Sequence, residues 1–80
     1  MHDYIATFHT HLAAMRSHRA LTAAGVNAAL APVPRYLSAS CGTCVRYAAA
    51  RPMEEAMDRD FDKIVQLTGS DRFETLFENA

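Results

Sequence analysis

The chain is poor in the features that usually name a function. It has two cysteines and three glycines in 80 residues, and no apolar run approaches the roughly 20 residues of a membrane span. The glycines stand apart at positions 25, 42 and 69, which excludes a glycine-rich phosphate loop. No Gly-x-Ser-x-Gly elbow occurs, so Ser38 and Ser40 have no triad context. Acidic residues are almost missing from the first 52 positions, where Asp3 stands alone against Arg16, Arg19, Arg35, Arg46 and Arg51. That electropositive part suits an anionic ligand or a thiolate. Its arginines form no basic run and are not interleaved with an aromatic platform, so nucleic acid is not an expected partner, and neither is a membrane. Residues 53–80 reverse the balance, with eight acids against Arg59, Lys63 and Arg72.

The opening Met1-His2-Asp3-Tyr4 lacks the basic n-region of a secretory signal. Two cysteines in such a chain point to a reduced, cytoplasmic dithiol rather than to a disulfide staple. Half the residues are hydrophobic and 21% are charged, the composition of a folded globule. The length allows one domain, 1–80, with a small core. It leaves little room for a deep pocket. Ordinary substrate turnover is therefore disfavoured, and self-association into a homo-oligomer is expected.

Tyr4 to Phe8 alternates with period two and predicts a first strand. Thr10 is an N-cap candidate, followed by a helix over about 11–24 that Gly25 ends. Its stripe of Ala14, Ser17, Leu21 and Ala24 calls for a close, small-sided contact. Residues 26–33 and 43–49 read as second and third strands. Thr43, Val45 and Tyr47 fall on one face of the third strand, with Cys44 and Arg46 on the other. Met53, Ala56, Met57, Ile64 and Leu67 lie on one helical stripe and predict a second helix ended by Gly69; Asp60, anomalous in its middle, is read as a shifted buried face or as pairing with Arg19 or His18 rather than as catalytic. Residues 73–77 alternate and read as a last strand, with a short helix as the alternative because Phe73, Leu76 and Phe77 are spaced i, i+3, i+4. The order β-α-β-β-α-β predicts an α+β ferredoxin-like sandwich, with two helices on one face of an antiparallel sheet. Its core is expected to join Phe8, Leu30, Val45, Tyr47, Met57 and Ile64. Its helix-free face is expected to be open, bearing Ile5, Thr7, Ala29, Ala31 and Val33.

The chemistry concentrates in Ser38-Ala39-Ser40-Cys41-Gly42-Thr43-Cys44-Val45-Arg46. A thiolate is favoured by backbone N–H groups, cations or a helix N-terminus. The small residues around Cys41 leave N–H groups free, and Arg46 adds a fixed positive charge. Cys41 is therefore expected to be the more reactive thiol, with Cys44 and Arg46 in support. In the expected topology, His9 and His11 reach the same sheet edge.

The runs Tyr4-Ile5-Ala6-Thr7-Phe8-His9-Thr10, Ala14-Met15-Arg16, Ala24-Gly25-Val26, Pro32-Val33-Pro34-Arg35, Ser38-Ala39-Ser40-Cys41-Gly42 and Arg46-Tyr47 resemble the selenium/sulfur carrier-like family of small bacterial domains. The resemblance covers most of residues 4–47 and returns at Phe73-Glu74-Thr75-Leu76-Phe77-Glu78. It implies that Cys41 is the carrier cysteine and that donor and acceptor proteins for sulfur or selenium are the partners. Cys44 departs from the family's pattern, in which a small or apolar residue is expected. Three readings follow. Cys41 carries a persulfide or selenenylsulfide; or Cys41 and Cys44 form a dithiol redox pair; or Cys41, Cys44, His9 and His11 hold zinc. In the first reading the protein is a carrier rather than an enzyme.

Overall fold

The computed structural model describes residues 1–39 and 41–79, so Ser40 of the cysteine stretch lies outside the described residues. The elements are β1 (His2–Phe8), α1 (His11–Ala23), β2 (Asn27–Pro32), β3 (Thr43–Ala49), a short 3-10 turn (Glu54–Ala56), β4 (Phe61–Gly69) and β5 (Arg72–Glu78). They form one five-stranded sheet in the order β2-β3-β1-β4-β5, with every neighbouring pair antiparallel.

Local chemistry sets the first half as its sequence suggests. Thr10 Oγ1 accepts the Ala13 amide at 3.1 Å and starts α1. At the other end Gly25 adopts φ 83°, Val26 N–H donates to Leu21 O at 2.9 Å and Gly25 N–H to Thr22 O at 3.0 Å. This is a Schellman closure, which a residue with a Cβ makes less easily. Ala13, Ala14, Ser17 and Leu21 are buried against the sheet. Three of these four are small, which lets α1 lie close. The core on this side joins Tyr4, Ala6, Phe8, Val45, Tyr47, Ala49 and Ile64.

The two-helix sandwich is overturned. Among the described residues α1 is the only α-helix, and five strands replace four. Two things misled the helical reading of residues 53–67. Phe61, Ile64 and Leu67 are spaced by threes and mimic a helical stripe. The strand that holds them is covered on both faces, so it carries apolar residues at both parities: Ile64 packs under α1 and Val65 on the opposite side. A strand buried on both faces shows no alternation to find. Gly69 ends β4 and opens the hairpin to β5, in which Asp71 takes φ 60°. Asp60 proves to be an exposed turn residue, its amide held by Asp58 Oδ2 at 3.1 Å. No pairing with Arg19 or His18 is needed to explain it.

The connection from β3 to β4 takes the place that a second helix would have filled. Met53, Ala56 and Met57 pack onto the α1-side core. The Asp58 amide donates to the buried Ser17 Oγ at 2.8 Å, and the Tyr47 hydroxyl donates to Pro52 O. The Tyr47 ring stacks on Tyr4 with centroids 5.2 Å apart. Tyr47→Phe keeps the ring and removes one largely buried hydrogen bond. It should lower unfolding free energy by about 1 kcal/mol, read as a lower urea midpoint at unchanged m-value. Leu30, expected in the core, is instead 41% exposed because β2 is an edge strand.

Candidate functional site

The helix-free face is open only in part. After β2 the chain leaves the sheet at Val33 and returns at Gly42, closed at its neck by Val33 N–H donating to Gly42 O at 3.1 Å. Its described residues from Val33 to Leu37 form a strap over the sheet. Pro34 initiates a turn in which Leu37 N–H donates to Pro34 O at 3.0 Å. Leu37 is thereby pressed into a second cluster with Ile5, Cys44 and Val65, edged by Ala31, Val33, Tyr36 and Leu67. Tyr36 stacks on Phe73 of β5, centroids 5.9 Å apart. The strap thus leaves from β2 at one edge and touches β5 at the other. The open apolar face that supported self-association is in large part covered by the chain itself.

The strap gives the two thiols different surroundings. Cys44 pairs with Thr7 on β1 and Ala31 on β2 and is fully buried. Its Sγ–H donates to Pro32 O at 3.6 Å. Burial pushes this thiol above its ordinary value of 9.0, against a weaker pull from the positive Arg46. Cys41 stands at the neck, half-buried, and both cysteines are free thiols. The raised Cys44 pKa has a stability consequence with a definite sign. The folded state holds its proton more tightly than the unfolded state. Its contribution is therefore whole below pH 9 and is lost as pH rises from there through the folded pKa. Burial likewise raises the Tyr47 phenol above its ordinary value of 10.0. Urea midpoints should fall above pH 9, and Cys44→Ala should remove the first part of that fall while leaving the tyrosine part.

Helix and strand ends bring further groups to the neck. His11, the first residue of α1, places Nδ1 3.1 Å from Thr43 Oγ1, two positions after Cys41. The N-terminus of α1 has no acid in its first turn, so its positive end is not neutralised from within the helix. His9 is exposed, and its amide donates to Asp60 O at 3.3 Å, toward β4. The structure therefore ties His11 to the β3 side and the His9 backbone to the β4 side. Arg46 lies exposed on the same face as Cys44, two residues farther from the neck. It borders a shallow depression of about 360 Å³ with Asp3, Asn27, Ala29, Ala48 and Leu67. Among the described residues no three of His, Cys, Asp and Glu form a group that could hold a metal ion.

Reasoning from sequence missed Tyr36 and Leu37. The signal was an aromatic and a leucine together in a loop opened by Pro34, since apolar residues in a solvated loop have no reason to be adjacent. Thr7, expected on an open face, is instead buried on β1, and its Oγ1 donates to Asp62 Oδ2 at 3.0 Å.

Residues 3–59 match the family described as "Putative Se/S carrier protein-like", and the chain belongs to that family. The match takes in β1, α1, β2, the strap with its neck, and β3, and stops before β4 and β5. A family named for carriage implies partners that give and take sulfur or selenium. No curated protein and no solved structure matches the chain. Among the described residues no helix is long and apolar enough to cross a membrane.

Proposed function

We propose that the protein carries a single sulfur or selenium atom on Cys41. The observation that favours this reading is the contrast between the thiols: Cys41 is partly accessible at the neck, while Cys44 is sealed beneath the strap. Loading is an exchange at sulfur. The Cys41 thiolate attacks the outer atom of a donor persulfide, the donor's S–S bond breaks, and the donor leaves as a thiolate. Cys41 then bears the outer atom as a persulfide, or as a selenenylsulfide when that atom is selenium. No net oxidation occurs. Release runs the same step with an acceptor thiolate.

The surroundings suit this chemistry. A loaded persulfide is more acidic than a thiol. The unneutralised start of α1 and the His11 imidazole adjoin the return of the loop, and the first 52 residues hold one acid. Cys44 in this reading is a packing residue that fixes the underside of the strap. The dithiol alternative requires Cys44 to act as resolving thiolate, which its burial and raised pKa oppose. The test is intact mass after incubation with a low-molecular-weight persulfide. A reducible gain of one sulfur supports the carrier, whereas loss of two hydrogens would indicate a Cys41–Cys44 disulfide instead.

A further inference from the structure

A different surface carries an inference about partners. The strand order leaves β2 at one edge of the sheet. Antiparallel ladders alternate, and the Val33–Gly42 bond sets the phase. Counting back by twos, Ala31, Ala29 and Asn27 direct their backbone groups to β3, while Pro32, Leu30 and Ala28 direct theirs outward. Pro32 has no N–H to offer. The Ala28 carbonyl already accepts a hydrogen from His18 Nε2 at 3.1 Å. The Leu30 amide and carbonyl remain facing the edge.

Beside them α1 and β2 enclose a groove of about 460 Å³ lined by Met15, His18, Arg19, Thr22, Ala23 and Leu30. Met15 is 42% exposed, Leu30 41%, and Leu12 at the next turn 53%. These are three of the six large hydrophobic residues exposed on the protein as described, gathered on one side. The charge here has one sign. α1 carries Arg16 and Arg19 and no acid, and β2 carries no charge at all. Arg16 leans toward Asp58 at 3.9 Å, while Arg19 borders the groove.

We propose that the β2 edge and this groove dock an extended, acidic segment of a partner protein. The segment adds as a strand beside β2, with one apolar side chain over Met15 and Leu30 and a carboxylate at Arg19. Charge complementarity selects the occupant. An acidic segment meets only cationic groups on this wall, and a basic one meets repulsion. The opposite edge, β5, bears Glu74 and Glu78 against the single cation Arg72 and is less favourable for the same segment. A second copy could offer β5 itself, so the experiment must separate that case. The proposal does not depend on what Cys41 carries.

The test is an amide chemical-shift titration of the labelled protein at low salt. The probe is a capped heptapeptide alternating glutamate with leucine, and its counterpart replaces glutamate by lysine. The acidic peptide should give saturable shifts at Ala28, Leu30, Met15 and Thr22, with the lysine peptide weaker. Arg19→Glu, an exposed change that spares the fold, should weaken the acidic peptide about fivefold and strengthen the other. Absence of saturable shifts, equal response to both peptides, or shifts confined to β5 would overturn the proposal. So would shifts at β2 and β5 that grow with protein concentration without peptide, because they identify a second copy as the occupant.

Discussion

Cys41→Ser is expected to abolish loading with sulfur from a small persulfide, while Cys44→Ser retains it. The two thiols differ in access. Cys41 is partly exposed at the neck of the strap, whereas Cys44 is fully buried and packs under Leu37. If lifting the strap costs about 3 kcal/mol, roughly one molecule in a hundred exposes Cys44 at any moment. Its reaction with an alkylating reagent should then be about a hundredfold slower than that of Cys41, before its raised pKa slows it further. Intact mass of each single mutant after persulfide treatment gives the first readout, and alkylation rate against pH gives the second. Loading that persists in Cys41→Ser, or a faster rate at Cys44, would show that the wrong thiol has been assigned. Such a result would leave the family membership untouched, since that rests on residues 3–59 as a whole.

The first half of the fold was legible because its signals are local. Thr10 caps, Gly25 closes, and the alternation of Tyr4 to Phe8 and of Thr43 to Ala49 sets which residues face α1. The expected adjacency of β1 and β3 holds, with Thr7 opposite Cys44. The second half was not legible, because its pattern depends on what covers it. Ile64 and Val65 look like part of a helical stripe until both faces of β4 are known to be buried. The same ignorance of the cover produced the expectation of an open face. Tyr36 and Leu37 lie in a segment with no period of its own, and only the sheet beneath gives them a purpose. At the candidate site, strand register placed Cys44 on β3 and left Cys41 in the preceding loop, as the structure has them. The sequence did not reveal how deeply Cys44 is buried, which depends on residues seven and more positions away. Of the two histidines offered as ligands, His11 reaches the β3 side through Thr43, and the backbone of His9 is held by Asp60.

The strap therefore carries both stability and the difference between the thiols, and Leu37 is where the two meet. It is 6% exposed and packs on Ile5, Cys44 and Val65. Leu37→Ala removes the side chain that pins the strap, at a cost of about 2–3 kcal/mol. For a chain this short, total stability on the order of 4–12 kcal/mol is usual, so the urea midpoint should fall markedly. Thiol labelling under native conditions distinguishes two responses. If the strap stays and leaves a cavity, stability drops while Cys44 remains protected. If the strap lifts, Cys44 becomes reactive and the wild-type pattern of one fast thiol becomes two. We expect the second, because the remaining anchors of the strap are its neck bond and the contact of Tyr36 with Phe73. Tyr36→Ala tests that outer anchor separately and should cost less, about 1 kcal/mol beyond lost area. A Leu37→Ala protein with an unchanged midpoint and a protected Cys44 would mean that the strap is not what seals the thiol. The protection would then have to come from the strand neighbours Thr7 and Ala31 alone.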